Sequence, residues 1–408
     1  MIRPRIALAA LLMLATAAAS PPPTKWVGSW ASSQQTPEAQ NTLPADDLTD
    51  TTLRQVVRLS LGGGRVRILV SNAFGAEPLR IDRVHIARAI AADSARIDPL
   101  SDRAVTFDGM SGVTVPAGAS YWSDPVAFDA APLSVAAVTM YLPQAPSGQT
   151  SHPASRATSY LVHGDRVADA DLRDAKTVEH WFQLAGVSVE AAGDARAVVT
   201  FGDSITDGHG ATTNGNDRWP DRLAARLQAD PATRAVAVLN HGIGGNRLLN
   251  IGLGPSALAR LDRDILAQPG VKYLILLEGI NDIGTLTRDA PATSAQHDAL
   301  VARMIGAYRQ IVTRARAAGI RAYGATILPD GASGYYHPDD LSEADRQAVN
   351  RWIRTPGNFD AVIDFDAVMR DPADPRRMRA DYDSGDGLHP SPAGYRAMAD
   401  AIPLELFK

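Results

Sequence analysis

Near residue 192 the rhythm of this 408-residue chain changes, and two architectures are needed to accommodate it. From Trp26 onward, short apolar or β-branched stretches follow one another at residues 53–61, 65–70, 84–87, 104–107, 113–115 and 133–142, with no helical pattern between them. Clusters of Gly, Pro, Asp and Ser separate these stretches, a spacing that predicts a β-sandwich. Leu53, Val57, Leu59 and Leu61 share one face of the first stretch, and Arg54 and Arg58 share the other. The run Gly62-Gly63-Gly64 then predicts a hairpin into residues 65–70. Trp26, Trp30 and Trp122 are read as sandwich core in preference to sugar-stacking platforms, because large aromatics in a sandwich bury more area inside it.

Beyond residue 192, strand-like segments at 198–201, 235–239, 273–277, 321–327 and 361–365 alternate with helical ones at 221–228, 297–317, 342–353 and 392–401. Such alternation implies a parallel sheet covered by helices on both faces. The expected division is a β-sandwich accessory domain over 25–192 and an α/β domain over 193–408.

The first twenty residues stand apart. Arg3 and Arg5 flank the start of an apolar run, 6–15, and small residues follow to Ser20, the three-part pattern of a cleavable signal peptide over 1–20. Its apolar core is short for a membrane span, so a secreted or periplasmic protein without a stable membrane anchor is expected. Cleavage removes two arginines and no acids, taking the formal charge from −5 to −7. With no cysteine, disulfides, thiol catalysis and cysteine-ligated metals are excluded. Mild acidity without a basic run argues against nucleic acid as a partner.

Four loops carry the chemistry. Val198-Val199-Thr200-Phe201 reads as a buried strand that breaks at Gly202 into Asp203-Ser204, and a serine just past a strand end is aimed into the crevice of a parallel sheet. There its hydroxyl can attack while its own N–H helps hold an oxyanion. The glycines of Asn240-His241-Gly242-Ile243-Gly244-Gly245-Asn246 let backbone amides approach a ligand, with Gly245 favoured as donor and Gly244 the alternative. In Glu278-Gly279-Ile280-Asn281-Asp282 the Asn281 carboxamide can donate without adding charge, and Asp282 is a cap or loop support. In Asp386-Gly387-Leu388-His389-Pro390 the spacing of three lets Asp386 accept from one imidazole nitrogen of His389 and leave the other free as a base. The plainer alternative at each position is a turn, cap or surface residue; together they supply a nucleophile, a base, an orienting acid and oxyanion donors. A calcium loop at Asp381, Asp383 and Asp386 fails on register, since Gly385 stands where a third oxygen ligand belongs. No metal and no cofactor are expected. The second glycine of a G-x-S-x-G elbow is missing, which disfavours the usual α/β-hydrolase.

As a set in this order, Gly202-Asp203-Ser204, Gly245, Gly279-Ile280-Asn281-Asp282 and Asp386-Gly387-Leu388-His389-Pro390 resemble the blocks of the SGNH, or GDSL-type, serine hydrolases over about 196–408. The resemblance implies a flavodoxin-like three-layer α/β/α fold. It implies ester hydrolysis through an acyl-serine, with Ser204, Gly245 and Asn281 forming the oxyanion hole. Less specifically, the first half resembles the β-rich region of exported bacterial members that begin like Trp26-Val27-Gly28-Ser29-Trp30. The substrate expected is a small-molecule or polysaccharide ester, with O-acetyl groups on a carbohydrate favoured over lipids and aryl esters. A catalytically inactive carbohydrate-binding protein is the alternative of another class. The oligomeric state is left open.

Overall fold

The computed structural model describes residues 24–408, so the expected signal peptide lies outside the described residues. Up to Ala192 the chain builds two large antiparallel sheets, with two short two-stranded ones beside them. One runs Thr24–Ala31, Leu184–Ala192, Gly63–Ser71, Ser120–Trp122, with Val126–Ala130 also paired to Gly63–Ser71. The other runs Lys176–Val178, Ser159–His163, Thr51–Arg58, Val135–Leu142, Arg83–Arg88, Arg103–Val105. Facing side chains such as Leu53, Val66, Ile68, Val138 and Met140 are buried between them.

The expected hairpin over 53–70 does not form: Thr51–Arg58 and Gly63–Ser71 belong to different sheets, so the glycine run carries the chain across the sandwich. Its backbone is satisfied elsewhere. Ser29 Oγ donates to the Leu61 carbonyl at 2.7 Å, and the Ser60 amide donates to the Ser29 carbonyl at 2.9 Å. A Cβ on Gly62 would stand 2.6 Å from the Ala130 carbonyl, so close backbone approach explains that glycine. Arg54 is buried as well. A second small cluster including Val56, Ala137 and Tyr160 covers its face, and the guanidinium donates to the carbonyl of Asp169 at 2.7 Å. Trp30 is core, edge-on to Trp181, whereas Trp26 and Trp122 stand half-buried on either side of the Arg67 guanidinium.

Past residue 192 a five-stranded parallel sheet runs Val236–Gly242, Arg196–Gly202, Val271–Leu277, Arg321–Ala325, Ala361–Ile363. In chain order this is 2-1-3-4-5, the flavodoxin-like arrangement, and right-handed crossovers place helices on both faces to give three α/β/α layers. Trp219–Ala229 packs with Pro392–Asp400, while Ser294–Ala317 packs with Asp340–Arg354. Thr293 and Gln296 form the capping box that starts the longest of these helices. The strand expected to reach Phe365 stops at Ile363, and Phe365 opens a short helix, Phe365–Met369, beneath Trp219. Helix Ile280–Thr287 stands where the sequence suggests a turn.

The two regions share one hydrophobic core. Ser60 Oγ accepts from the Val238 amide at 3.0 Å, and the Gly28 amide donates to the Pro269 carbonyl at 2.9 Å. The sandwich thus covers the outer edge of the parallel sheet, which an unpaired strand would leave open to association.

Candidate active site

Ser204 sits where the strand order reverses. It follows Arg196–Gly202, the first strand of the parallel sheet in the chain, and opens a single helical turn, Ser204–Asp207, which Asp203 caps by accepting from the Ile205 amide at 2.9 Å. Gly202 is a close-approach glycine: a Cβ there would lie 2.2 Å from the Leu277 carbonyl. The Ser204 amide has no hydrogen-bond partner among the described residues.

Asp386 and His389 occupy the loop before helix Pro392–Asp400. One Asp386 oxygen accepts from the amides of Leu388 at 2.9 Å and His389 at 2.8 Å, and the other lies 2.6 Å from His389 Nδ1. Partial burial alone would raise the Asp386 carboxyl, but the imidazole and amide hydrogen bonds outweigh it and hold the group well below the usual carboxylate range. Asp386 therefore accepts, which puts hydrogen on Nδ1 and leaves Nε2 facing Ser204 Oγ at 2.8 Å. At this spacing of three the two side chains meet within one loop.

Nothing in the sequence singles out His209. Its ring stacks on His389 at 4.0 Å between centroids, with Arg156 3.2 Å from its Nδ1. Burial, then the neighbouring His389 and Arg156, pushes it down to about 4, so it stays neutral beside His389.

Asn281 lies in the first turn of helix Ile280–Thr287 and is buried. Tyr336 donates to its Oδ1 at 2.6 Å and its Nδ2 donates to the Asn246 carbonyl at 2.7 Å, which fixes the amide's orientation. One Nδ2 hydrogen is left without a partner among the described residues. Nothing local in the sequence points to Tyr336, which is 55 positions away. Asp282 is the loop support expected, accepting from the amides of Leu248 at 2.7 Å and Leu249 at 3.1 Å. Of the two glycines, Gly244 donates its N–H to Asp207 Oδ2 at 3.2 Å, whereas that of Gly245 has no partner among the described residues.

Behind these loops lies a buried charged layer. Arg260 donates to the carbonyls of His241 at 2.6 Å and Gly202 at 2.8 Å and to Asp264 at 3.2 Å, and lies 3.6 Å from Glu278. Desolvation pushes Asp203 up to about 7 and Asp282 up to about 6, and raises Glu278 well above the ordinary range, so the layer carries fewer charges than its acid count suggests.

Ser204, Gly245, Asn281 and His389 line a cleft of about 1090 Å³. The β-rich region forms one wall with Gln35, Glu38, Gln40, Asn41, Pro153 and Ala154. Arg247, Arg288 and Tyr335 stand along another side. An oriented acid, a base at hydrogen-bond distance from a hydroxyl, and unpaired donors lining the same cleft can carry out acyl transfer. Among the described residues no helix is long and apolar enough to cross a membrane.

No curated protein matches this chain. Among solved structures, a GDSL-like lipase from Bacteroides thetaiotaomicron is similar at 19% identity and TM-score 0.38, covering 51% of this chain and 85% of that one. The acetyl xylan esterase AlAXEase is similar at 18% identity and TM-score 0.37, covering 50% of this chain and 96% of its own. The M. smegmatis aryl esterase is similar at 17% and 0.38, covering 52% and 98%. The family of GDSL-like lipases and acylhydrolases matches residues 200–397, from within the strand Arg196–Gly202 to within the helix Pro392–Asp400. That match makes residues 200–397 a GDSL-like lipase/acylhydrolase region, and the chain is a carboxylic ester hydrolase.

Proposed function

We propose that this protein is an exported serine esterase that removes acetyl groups from a carbohydrate, with Ser204 as nucleophile, His389 as base and Asp386 orienting it. The observation that carries the catalytic roles is the continuous path of 2.8 and 2.6 Å from Ser204 Oγ through His389 to Asp386. Ser204 attacks the ester carbonyl as His389 Nε2 takes its proton; the same proton then passes to the leaving alcohol, and water repeats the cycle on the acyl-serine. The amides of Ser204 and Gly245 and the Asn281 side chain donate to the oxyanion. Supporting the choice of Gly245, the N–H of Gly244 is already engaged by Asp207.

The carbohydrate reading rests on the cleft wall from the β-rich residues 25–192, an accessory domain in this reading. There Glu38 accepts from Gln35 at 3.1 Å and Asn41 at 2.7 Å, a fixed set of planar polar groups suited to hydroxyl-rich ligands. Export rests on the leader pattern of residues 1–20. Acetate release from acetylated plant polysaccharides is the test. Release at rates above those on long-chain acylglycerols is expected; faster cleavage of the acylglycerols moves the substrate to lipids.

The oxyanion assignment has its own measurement. Tyr336→Phe leaves the packing and frees the Asn281 carboxamide to turn, so kcat is expected to fall about tenfold at nearly unchanged KM. An unchanged kcat would remove Asn281 from the hole.

A further inference from the structure

One buried histidine joins the β-rich region to the turn that carries Ser204. His152, on the short strand Ser151–Pro153, is buried. Its Nδ1 lies 2.7 Å from the Ser33 carbonyl, which can only accept, so Nδ1 bears hydrogen. Its Nε2 lies 2.9 Å from Asp207 Oδ1. Asp207 ends the helical turn that Ser204 begins, and its other oxygen accepts from the Gly244 amide. The two side-chain oxygens of Asp207 thus divide the joint between them, the first facing the β-rich region and the second holding the loop of Gly245. Arg218 secures the same joint by donating to the Asp207 backbone carbonyl at 2.7 Å and to the carbonyl of Ser155.

We infer that His152 is a positioning residue for ester hydrolysis, setting through Asp207 the distance between Ser204 and the Gly245 amide. The inference rests on the proposed oxyanion role of Gly245. A donor amide displaced by a fraction of an ångström still lets substrate bind but loses its bond to the developing oxyanion, so the damage belongs in kcat. Burial works against charge on His152, but the adjacent Asp207 carboxylate outweighs it and raises the imidazole above its ordinary value. Asp207 oriented by an imidazolium is stiffer than the same carboxylate beside water, because a charge-assisted bond in a dry site is shorter and stronger.

The experiment uses the full chain and an aryl acetate, with a thermal midpoint taken for every variant. Glutamine places an amide nitrogen near the position of imidazole Nε2, and asparagine places one near Nδ1. His152→Gln therefore keeps the donor to Asp207, and His152→Asn keeps only the donor to Ser33. Expected is a kcat for His152→Asn reduced about tenfold or more with KM within about twofold, and a kcat for His152→Gln within about threefold of wild type. Wild-type kcat in folded His152→Asn, or equal loss in both variants, overturns the inference. Should the histidine variants fail to fold, Asp207→Asn and Asp207→Ala decide. The carboxamide still accepts from Gly244 and can donate to a neutral His152, so only Asp207→Ala is expected to lose kcat; equal loss in both overturns the inference. Ser204→Ala is run beside them. Retained turnover there removes the catalytic reading itself, whereas an inactive Ser204→Ala with an undamaged His152→Asn removes only the role of His152.

Discussion

Ser204→Ala is expected to lower kcat on every ester substrate by about 10⁴- to 10⁶-fold while leaving the thermal midpoint nearly unchanged. The hydroxyl makes one side-chain hydrogen bond, to His389, so its loss strands little. What disappears is the covalent route, because no other hydroxyl among the described residues is paired to that imidazole nitrogen. His389→Ala should cost nearly as much, and the double variant little more, since the pair acts as one unit. A serine-reactive phosphonate gives an independent readout: labelling that survives Ser204→Ala would falsify the assignment.

Arg260→Met is expected to destabilise the fold by about 3–5 kcal/mol, read from the denaturant midpoint. Methionine fills much of the volume over the Phe201 ring, where the guanidinium now sits at 3.8 Å. The loss is electrostatic and concentrated. Asp264 keeps Arg263 at 2.6 Å, but the carbonyls of Gly202 and His241 and the Asn246 side-chain oxygen lose their donors. Burial already raises Glu278 well above the ordinary carboxylate range, so adding Glu278→Gln to Arg260→Met should recover little, the stranded carbonyls being the larger loss. A change below about 1 kcal/mol in Arg260→Met would mean that water or rearrangement already compensates the layer.

The proposed catalytic trio is legible in the sequence because each part is local. A strand ending in Gly-Asp-Ser and an acid three residues before a histidine carry their geometry in their spacing, and the parallel sheet brings both to the same ends of its strands. The supporting residues are not legible for the opposite reason. Tyr336 reaches Asn281, and His152 reaches Asp207, across 55 positions in each case, and nothing near any of these residues marks the partner. His209 follows Gly208 in a turn and gives no signal beyond being a histidine. The hairpin that does not form has a similar cause. Glycines after an alternating stretch say that the chain turns, but only long-range pairing with Leu184–Ala192 and Val135–Leu142 decides that the two strands enter different sheets. Alternation on Thr51–Arg58 likewise gives the facing of Arg54 but not its burial, because the covering cluster comes from residues around 87–97 and 160–172.

The strand Thr24–Ala31 has as its ladder partner Leu184–Ala192, with Thr24 opposite Ala192. That pairing has a consequence for the order in which the molecule can assemble. As the chain is delivered from its N-terminus, this strand must wait for the last strand of the β-rich region before its amides and carbonyls find their ladder. Its other side packs toward Val236–Gly242, which emerges later still. Closure over such sequence separations is entropically costly before it yields contacts, so folding is slow relative to chain length and leaves the strand's edge bare in the interim. A chaperone that holds the first strands apart from other chains during that interval acts on the step most exposed to aggregation.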